Sequence, residues 1–213
     1  GIARRWAQRV GRSAQVTAWT NSVDGMNMTL ALLHRIGDLK LLPRTGWLFA
    51  GIRQPESIAD HSYATVWMAL LLAEKINQEW QAQGLAAPLD RFRVMQIALV
   101  HDLAESVLTD LPKRSTDLVG KAIKHRAEAA ATEMLLQDVP NGLSYIACWH
   151  EYTAAETPES RVVRDADKLE MVAQALRYEE MGHRNLQEFW EGHQWFYAAS
   201  ALLCQELQDK RPF

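Results

Sequence analysis

Two imidazoles and two carboxylates stand apart from the rest of this sequence: His61, the adjacent pair His101 and Asp102, and Asp167, each set beside apolar residues in a separate segment. That donor mixture suits a divalent transition ion of borderline character and leaves positions for water and a substrate. The densest part lies in LVHDLAESVLTD, residues 99 to 110. Counted at about 100° per residue from His101, the residues Val94, Ile97, Ala98, Glu105 and Leu108 fall within about 60°, with Asp102 at the edge of that sector. The polar trio therefore shares the core-facing side of an apolar segment. An ionised carboxylate buried with nothing positive opposite is too costly to keep, so a cation is expected there. A lone histidine on an apolar face is more often a hydrogen-bonded core residue, and a lone buried aspartate more often a cap or ion-pair member. The adjacent His-Asp pair is what makes chemistry the better reading.

The elements that must position these residues read as helices almost throughout, and no strand-period segment stands out. Leu30, Leu33, Ile36 and Leu39 mark a helix from Met26 to about Leu39, followed by LLPRTGWLFAGIRQPES as a long loop with two prolines and two glycines. Ser57 or Asp60 can start the next helix, whose apolar positions Ala64, Trp67, Met68, Leu71 and Leu72 run on to about Trp80. The helix carrying the HD pair is expected from about Leu89 to Thr109, and another from about Asp117 to Gln137 with Ile123, Ala127, Ala130, Met134 and Leu135 on one side. A short helix follows over 140–152. TPES at 157 to 160 combines a capping threonine, a proline at the first helical position and an acid at the positive end of the dipole, predicting a helix to about Met181. Asn185 with Glu188 resembles a capping box for a last helix through about Leu207. Residues 1–24 are weakly patterned and end in the polar break TNSVDG, which suggests an N-terminal extension ahead of a domain over 25–213. The fold class expected is all-α, a compact bundle of about six or seven helices around one metal.

HSYA after PESIAD, then ALVHDLAE, then RDADKLEM, gives the order H…HD…D, and on these blocks the chain resembles the HD-domain metal-dependent phosphohydrolases. The words LPRTGW, PESIADHS, HDLAESVLTDLP and ADKLEM are most similar to the branch containing the YfbR-like 5′-deoxynucleotidases, over about residues 26 to 205. The resemblance implies that His61, His101, Asp102 and Asp167 bind one divalent metal ion, with Co, Mn, Fe, Ni, Zn and Mg all open. It implies that Glu105 orients the attacking water and accepts its proton, and that Asp110 is a second acidic residue beside the scissile ester and the sugar. Glu105 also lies one helical turn past His101, beside the ligands without needing to bind metal. Because charge gathers on the phosphoryl oxygens in the transition state, cations should line the pocket. Arg44, Lys113 and Arg114 are the candidates, with Trp47 to stack on a base or wall the nucleoside pocket. In the bacterial deoxynucleotidases an arginine directly precedes this tryptophan, whereas here the order is Arg44, Thr45, Gly46, Trp47, which makes Arg53 a further candidate.

The implied activity is release of phosphate from a (deoxy)ribonucleoside 5′-monophosphate. The alternatives are hydrolysis of another small phosphorylated metabolite and a non-catalytic HD-fold ligand-binding module. A net charge of −3 and scattered basic residues, apart from Arg4, Arg5, Arg9 and Arg12, give no nucleic-acid polymer a groove. The run VWMALLLA is too short to span a bilayer, and GIARRWAQRV is not followed by a secretory apolar segment. Cys148 and Cys204 sit in apolar helical contexts that suit buried thiols in a reducing cytoplasm. The WHEY segment lacks the HExxH spacing, so His150 and Glu151 read as surface or supporting groups. His125 can approach the pocket or lie on a solvated face, the second being the preferred reading, and His34, His183 and His193 have no ligand partner at helical spacing. Trp190, Trp195, Phe196, Leu202 and Leu203 in the last helix suggest packing against a second copy in a two-fold homodimer.

Overall fold

The structure, a computed structural model, describes residues 23–212. The expected extension over residues 1–24, with its four arginines, therefore lies outside the described residues except at Val23 and Asp24, which open the first helix. Among the described residues the secondary structure is helical apart from one antiparallel bridge, Pro43 to Ser57. Seven helices of ten or more residues form the body, as the all-α expectation had it: α1 (Val23–Asp38), α3 (Ile58–Gln78), α4 (Arg91–Val100), α7 (Lys121–Leu136), α8 (Gly142–Ala154), α9 (Pro158–Glu180) and α10 (Ala198–Gln208). Three short ones join them: α2 (Thr45–Phe49), α5 (Glu105–Leu108) and α6 (Lys113–Val119). No described helix is long and apolar enough to cross a membrane.

Local sequence sets the three starts that matter most for the site. Ser57 and Asp60 form a reciprocal capping box at the head of α3, Asp90 accepts from Phe92 and Arg93 at the head of α4, and Thr157 caps Ser160 with Pro158 at the first turn of α9. α9 runs through the middle and packs on α3, α4, α8 and α10. Ile76, Val94, Ile97, Trp149, Val162, Leu169 and Val172 are all sealed in the core between these helices.

Several boundaries differ from the sequence reading for definable reasons. The long loop holds the five-residue helix α2, pinned by the Arg44 amide donating to the Glu56 carbonyl and the Ile58 amide to that of Leu42. The HD helix ends at Val100, and residues 101–104 pass through tight turns with the amides of Leu103 and Glu105 reaching only three residues back, so Glu105 begins a separate α5. The helix expected over 117–137 is divided at Gly120, whose φ of 95° no ordinary side chain adopts readily. Asn185 breaks the chain instead of capping it: its φ is 66°, a 3-10 turn follows at Gln187–Phe189, and α10 begins only at Ala198. Trp190 is consequently a core residue outside that helix, 3% exposed.

Buried faces also rotate from expectation. On α3 the inward stripe is His61, Thr65, Ala69, Leu72, Ala73 and Ile76, while Trp67 and Leu71 are exposed. On α7 it is Ala131, Thr132, Leu135 and Leu136, with Ile123 and Met134 outside. On α1, Leu30, Leu33 and Ile36 face outward, and Leu39, just past its end, is buried. Gly142 is required where α7 turns into α8, since a Cβ there would sit 1.7 Å from the Leu136 carbonyl oxygen.

The C-terminal helix is held by a carboxylate from α9. Asp165, fully buried, accepts from the amides of Phe196 and Tyr197 at 3.0 and 3.1 Å, serving the head of α10 in place of a local cap. Asp165→Ala is expected to cost about 3 kcal/mol by leaving these amides unpaired, lowering the melting midpoint by about 6–12 °C in a calorimetric scan.

Candidate metal centre and its cavity

Three helices bring the four sequence-predicted residues together: donor atoms of His61, His101 and Asp167 lie within 4.8 Å of one another, and Asp102 sets Oδ2 beside both imidazoles without joining that trio. His61 lies at the first turn of α3, His101 directly follows α4, Asp102 follows it, and Asp167 lies midway along α9. His61 Nε2 is 3.4 Å from His101 Nε2, 3.5 Å from Asp102 Oδ2 and 3.2 Å from Asp167 Oδ1, and His101 Nε2 is 3.3 Å from Asp102 Oδ2. Ligands about 2.1 Å from a shared ion stand about 3.0 Å apart in octahedral and about 3.4 Å apart in tetrahedral geometry, so these separations fit one cation.

The protonation of the rings supports the same fit. His61 Nδ1 meets Glu170 Oε2 at 2.5 Å and His101 Nδ1 meets the Ala98 carbonyl at 2.7 Å; both partners only accept, so both Nδ1 atoms carry a proton and both Nε2 atoms are turned to the common point, free to give up any proton there to a cation. Burial and Arg44 oppose a charge on His61, yet hydrogen bonds to Asp167 and Glu170 outweigh them and carry it up to about 10. Burial alone would raise Asp102 and Asp167, but the charge of His101 on Asp102 and the hydrogen bond from His61 to Asp167 hold both carboxyls far below the usual range. The site thus demands positive charge at its centre.

A second trio, Glu56, His61 and Glu170, also clusters its donor atoms within 4.8 Å. Its imidazole atom is the protonated Nδ1, so these acids act as outer partners and not as a second ion site. Glu56 accepts from Trp47 Nε1 at 3.0 Å, and burial followed by the charge of Glu170 pushes it up to about 7. Glu170→Ala should weaken divalent-ion affinity by about 10- to 100-fold, measured by calorimetric titration of the chelator-stripped protein.

The centre opens on a cavity of about 870 Å³. Glu105 reaches its wall, 5% exposed, with Oε2 finding no hydrogen-bond partner. Burial and then the charge of Asp102 push its carboxyl well above the usual range. Asp110 also lines the cavity, its Oδ2 accepting from the Thr45 amide at 2.6 Å and the Thr45 hydroxyl at 3.0 Å, which ties α2 to the turn after α5. Arg44 lines it too, with NH1 3.3 Å from Asp102 Oδ2. Lys113 and Arg114 stand exposed at its rim, Arg114 4.1 Å over the ring of Phe49.

The expectations that geometry corrects concern the aromatic and basic residues. Trp47 is 2% exposed and held between Phe189, at 4.1 Å, and the edge of Tyr178, so it walls the cavity and has no face free to stack on a base. Arg53 is exposed and does not line the cavity. His125, although exposed, lines the cavity and stacks on Trp149 at 5.4 Å. His193 also lines it, donating from Nε2 to the Phe189 carbonyl. Glu151 binds Arg93 and Thr157 and is structural, and His150 is exposed.

Sequence reasoning missed Tyr152, whose hydroxyl donates to Asp167 Oδ2 at 2.7 Å and leaves Oδ1 for the ion. It also missed Glu170, Lys124 and Arg164. Only Glu170 had a local signal, three residues after Asp167 on the same helix face.

Comparison with known proteins shows the family. Residues 36–195 match the HD domain family. The chain is 38% identical over 170 residues to 5′-deoxynucleotidase HDDC2 of Danio rerio, covering 78% of each chain. It is 40% identical over 170 residues to 5′-deoxynucleotidase hdd1 of Schizosaccharomyces pombe, covering 75% of this chain and 78% of that one. Among solved structures, a conserved hypothetical protein from Pyrococcus furiosus superposes with a TM-score of 0.71 at 35% identity, over 86% of this chain and 99% of that chain.

Proposed function

We propose that this chain, which belongs to the HD domain family, is a metal-dependent phosphohydrolase that releases phosphate from nucleoside 5′-monophosphates, with deoxynucleotides preferred. The observation that carries the reading is the clustering of the His61, His101 and Asp167 donor atoms, with Asp102 Oδ2 beside both imidazoles, next to a cavity large enough for a nucleotide. His61, His101, Asp102 and Asp167 hold one divalent ion. When bound, such an ion supplies Lewis acidity toward a phosphoryl oxygen and toward water.

The remaining roles fall to the side chains around it. Glu105 orients the attacking water through its unpartnered oxygen and takes its proton. Arg44 holds Asp102 in place and faces the phosphoryl oxygens, while Asp110 fixes the α2 turn and borders the sugar. Lys113 and Arg114 attract the anionic substrate at the rim, and the exposed ring of Phe49, 55% accessible, takes the base-stacking role that Trp47 is too buried to perform.

A chelator-stripped sample reloaded with Mn, Co, Fe, Ni, Zn or Mg and assayed on ribo- and deoxyribonucleoside 5′-monophosphates tests the reading. Phosphate release from the deoxy series is expected. Release only from other phosphorylated metabolites would change the substrate, and release from none would leave a ligand-binding module. The buried free thiols of Cys148 and Cys204 support a cytoplasmic setting, and exposed Phe196 and Leu202 support a homodimer, which light scattering would measure.

A further inference from the structure

The geometry points to Arg164 as a substrate-anchoring residue, whose guanidinium binds the phosphate of the monoester in the cavity that Arg44 and Asp102 also line. This rests on the monophosphate-hydrolase reading and adds to it a residue to which the sequence reading gave no role. Arg164 lies on α9 one turn before Asp167 and lines the same cavity as His101, Asp102 and Glu105. Its Cζ stands 4.9 Å over the ring of Tyr152, the residue that fixes Asp167 Oδ2.

What distinguishes Arg164 is the company its charge keeps. Arg44 is engaged by Asp102, Arg93 by Glu151 and Arg211 by Glu179. Half-buried Arg164 pairs with no carboxylate among the described residues, and its close neighbour is an aromatic face. Asp167 and Asp102 attract it from beyond contact distance and Tyr152 hydrogen-bonds it, so a half-buried guanidinium with no carboxylate in direct contact keeps donors for an anion in the cavity.

The charge on the cavity wall also calls for a further cation. Asp102, Asp110 and Asp167 face it as carboxylates, and a divalent ion with Arg44 matches those three charges while a phosphate monoester adds about two more. Lys113 and Arg114 stand exposed at the rim, whereas Lys124 is turned to the Leu111 carbonyl and to Glu128. Arg164, one turn before Asp167 and over the Tyr152 ring, is a second cation beside Arg44 on the cavity wall that carries the ligand carboxylates.

The test uses the metal-loaded protein with inorganic phosphate as the probe in calorimetric titration, together with steady-state kinetics on a monophosphate that the wild type hydrolyses. Arg164→Met is expected to weaken phosphate binding and raise KM by about 10- to 100-fold, with the metal bound per chain unchanged. Arg164→Lys, which keeps the charge but not the fork, should recover part of the phosphate affinity, and it carries the test if the methionine variant fails to fold. Phosphate affinity and KM within twofold of wild type in a folded variant would overturn the assignment. Loss of metal in both variants would overturn it as well, because Arg164 would then act only by supporting Tyr152 and Asp167. The phosphate titration needs no turnover, so a wild type that binds phosphate but cleaves no monophosphate defeats the hydrolase reading while still deciding the role of Arg164.

Discussion

Glu105→Gln is expected to keep its divalent ion and lose about 100- to 10,000-fold in kcat, the range that a positioned general base commands. The substitution is nearly isosteric, so the tight turns at 101–104 and the start of α5 are preserved. What changes is the chemistry of one buried group: the amide can still orient a water through its oxygen but cannot take a proton from it. Oε2 has no partner in the protein, so no internal hydrogen bond is lost that would confuse the result. Metal content by elemental analysis and kcat measured on the same sample settle it. A variant that keeps its ion and retains kcat within tenfold of wild type would remove Glu105 from the reaction.

Asp102→Asn should instead lose the ion. Its Oδ2 lies 3.3 Å from His101 Nε2 and 3.5 Å from His61 Nε2, and the amide removes the negative charge that holds a cation between two neutral rings. The fall in affinity should exceed the about 10- to 100-fold typical of outer partners such as Glu170. The same change removes the carboxylate that pairs with Arg44, so its guanidinium opposes the ion with less charge to offset it. Elemental analysis after dialysis measures the effect, and unchanged metal content would show that Asp102 is not a ligand. Together the two variants separate holding the ion from using it.

Much of the centre was legible because its signals are local. The HD pair within an apolar segment, and Asp167 on the helix announced by TPES, need only short spacings to be noticed, and the inward direction of Glu105 follows from counting residues. That count reached the right side by a different route, since the chain tightens at 101–104 and does not continue as one α-helix. Tyr152, Arg164 and Arg44 make their contacts across helices, and nothing in their immediate sequence reports a partner that is remote in the chain.

The buried faces were misread for a related reason. On α3 the large residues Trp67 and Leu71 dominate the apparent stripe, whereas Ala69 and Ala73 are the residues sealed against neighbouring helices. Small side chains carry little hydrophobic signal but permit close helix packing. Trp47 illustrates the converse, a ring that looks suited to a ligand and is already occupied by Phe189, Tyr178 and Glu56.

Asp165 and Asp167 stand two positions apart in one uninterrupted helix, so they project about 200° apart around its axis. A residue inserted between Pro158 and Val163 would swing both by about 100° relative to the start of the helix, unfastening the chain terminus and dismantling the ion's cradle in a single event. Point changes can part these two duties; a shift in reading along α9 cannot. Length variation during divergence is therefore confined to the connecting segments, and this helix can accept new side chains but not new residues.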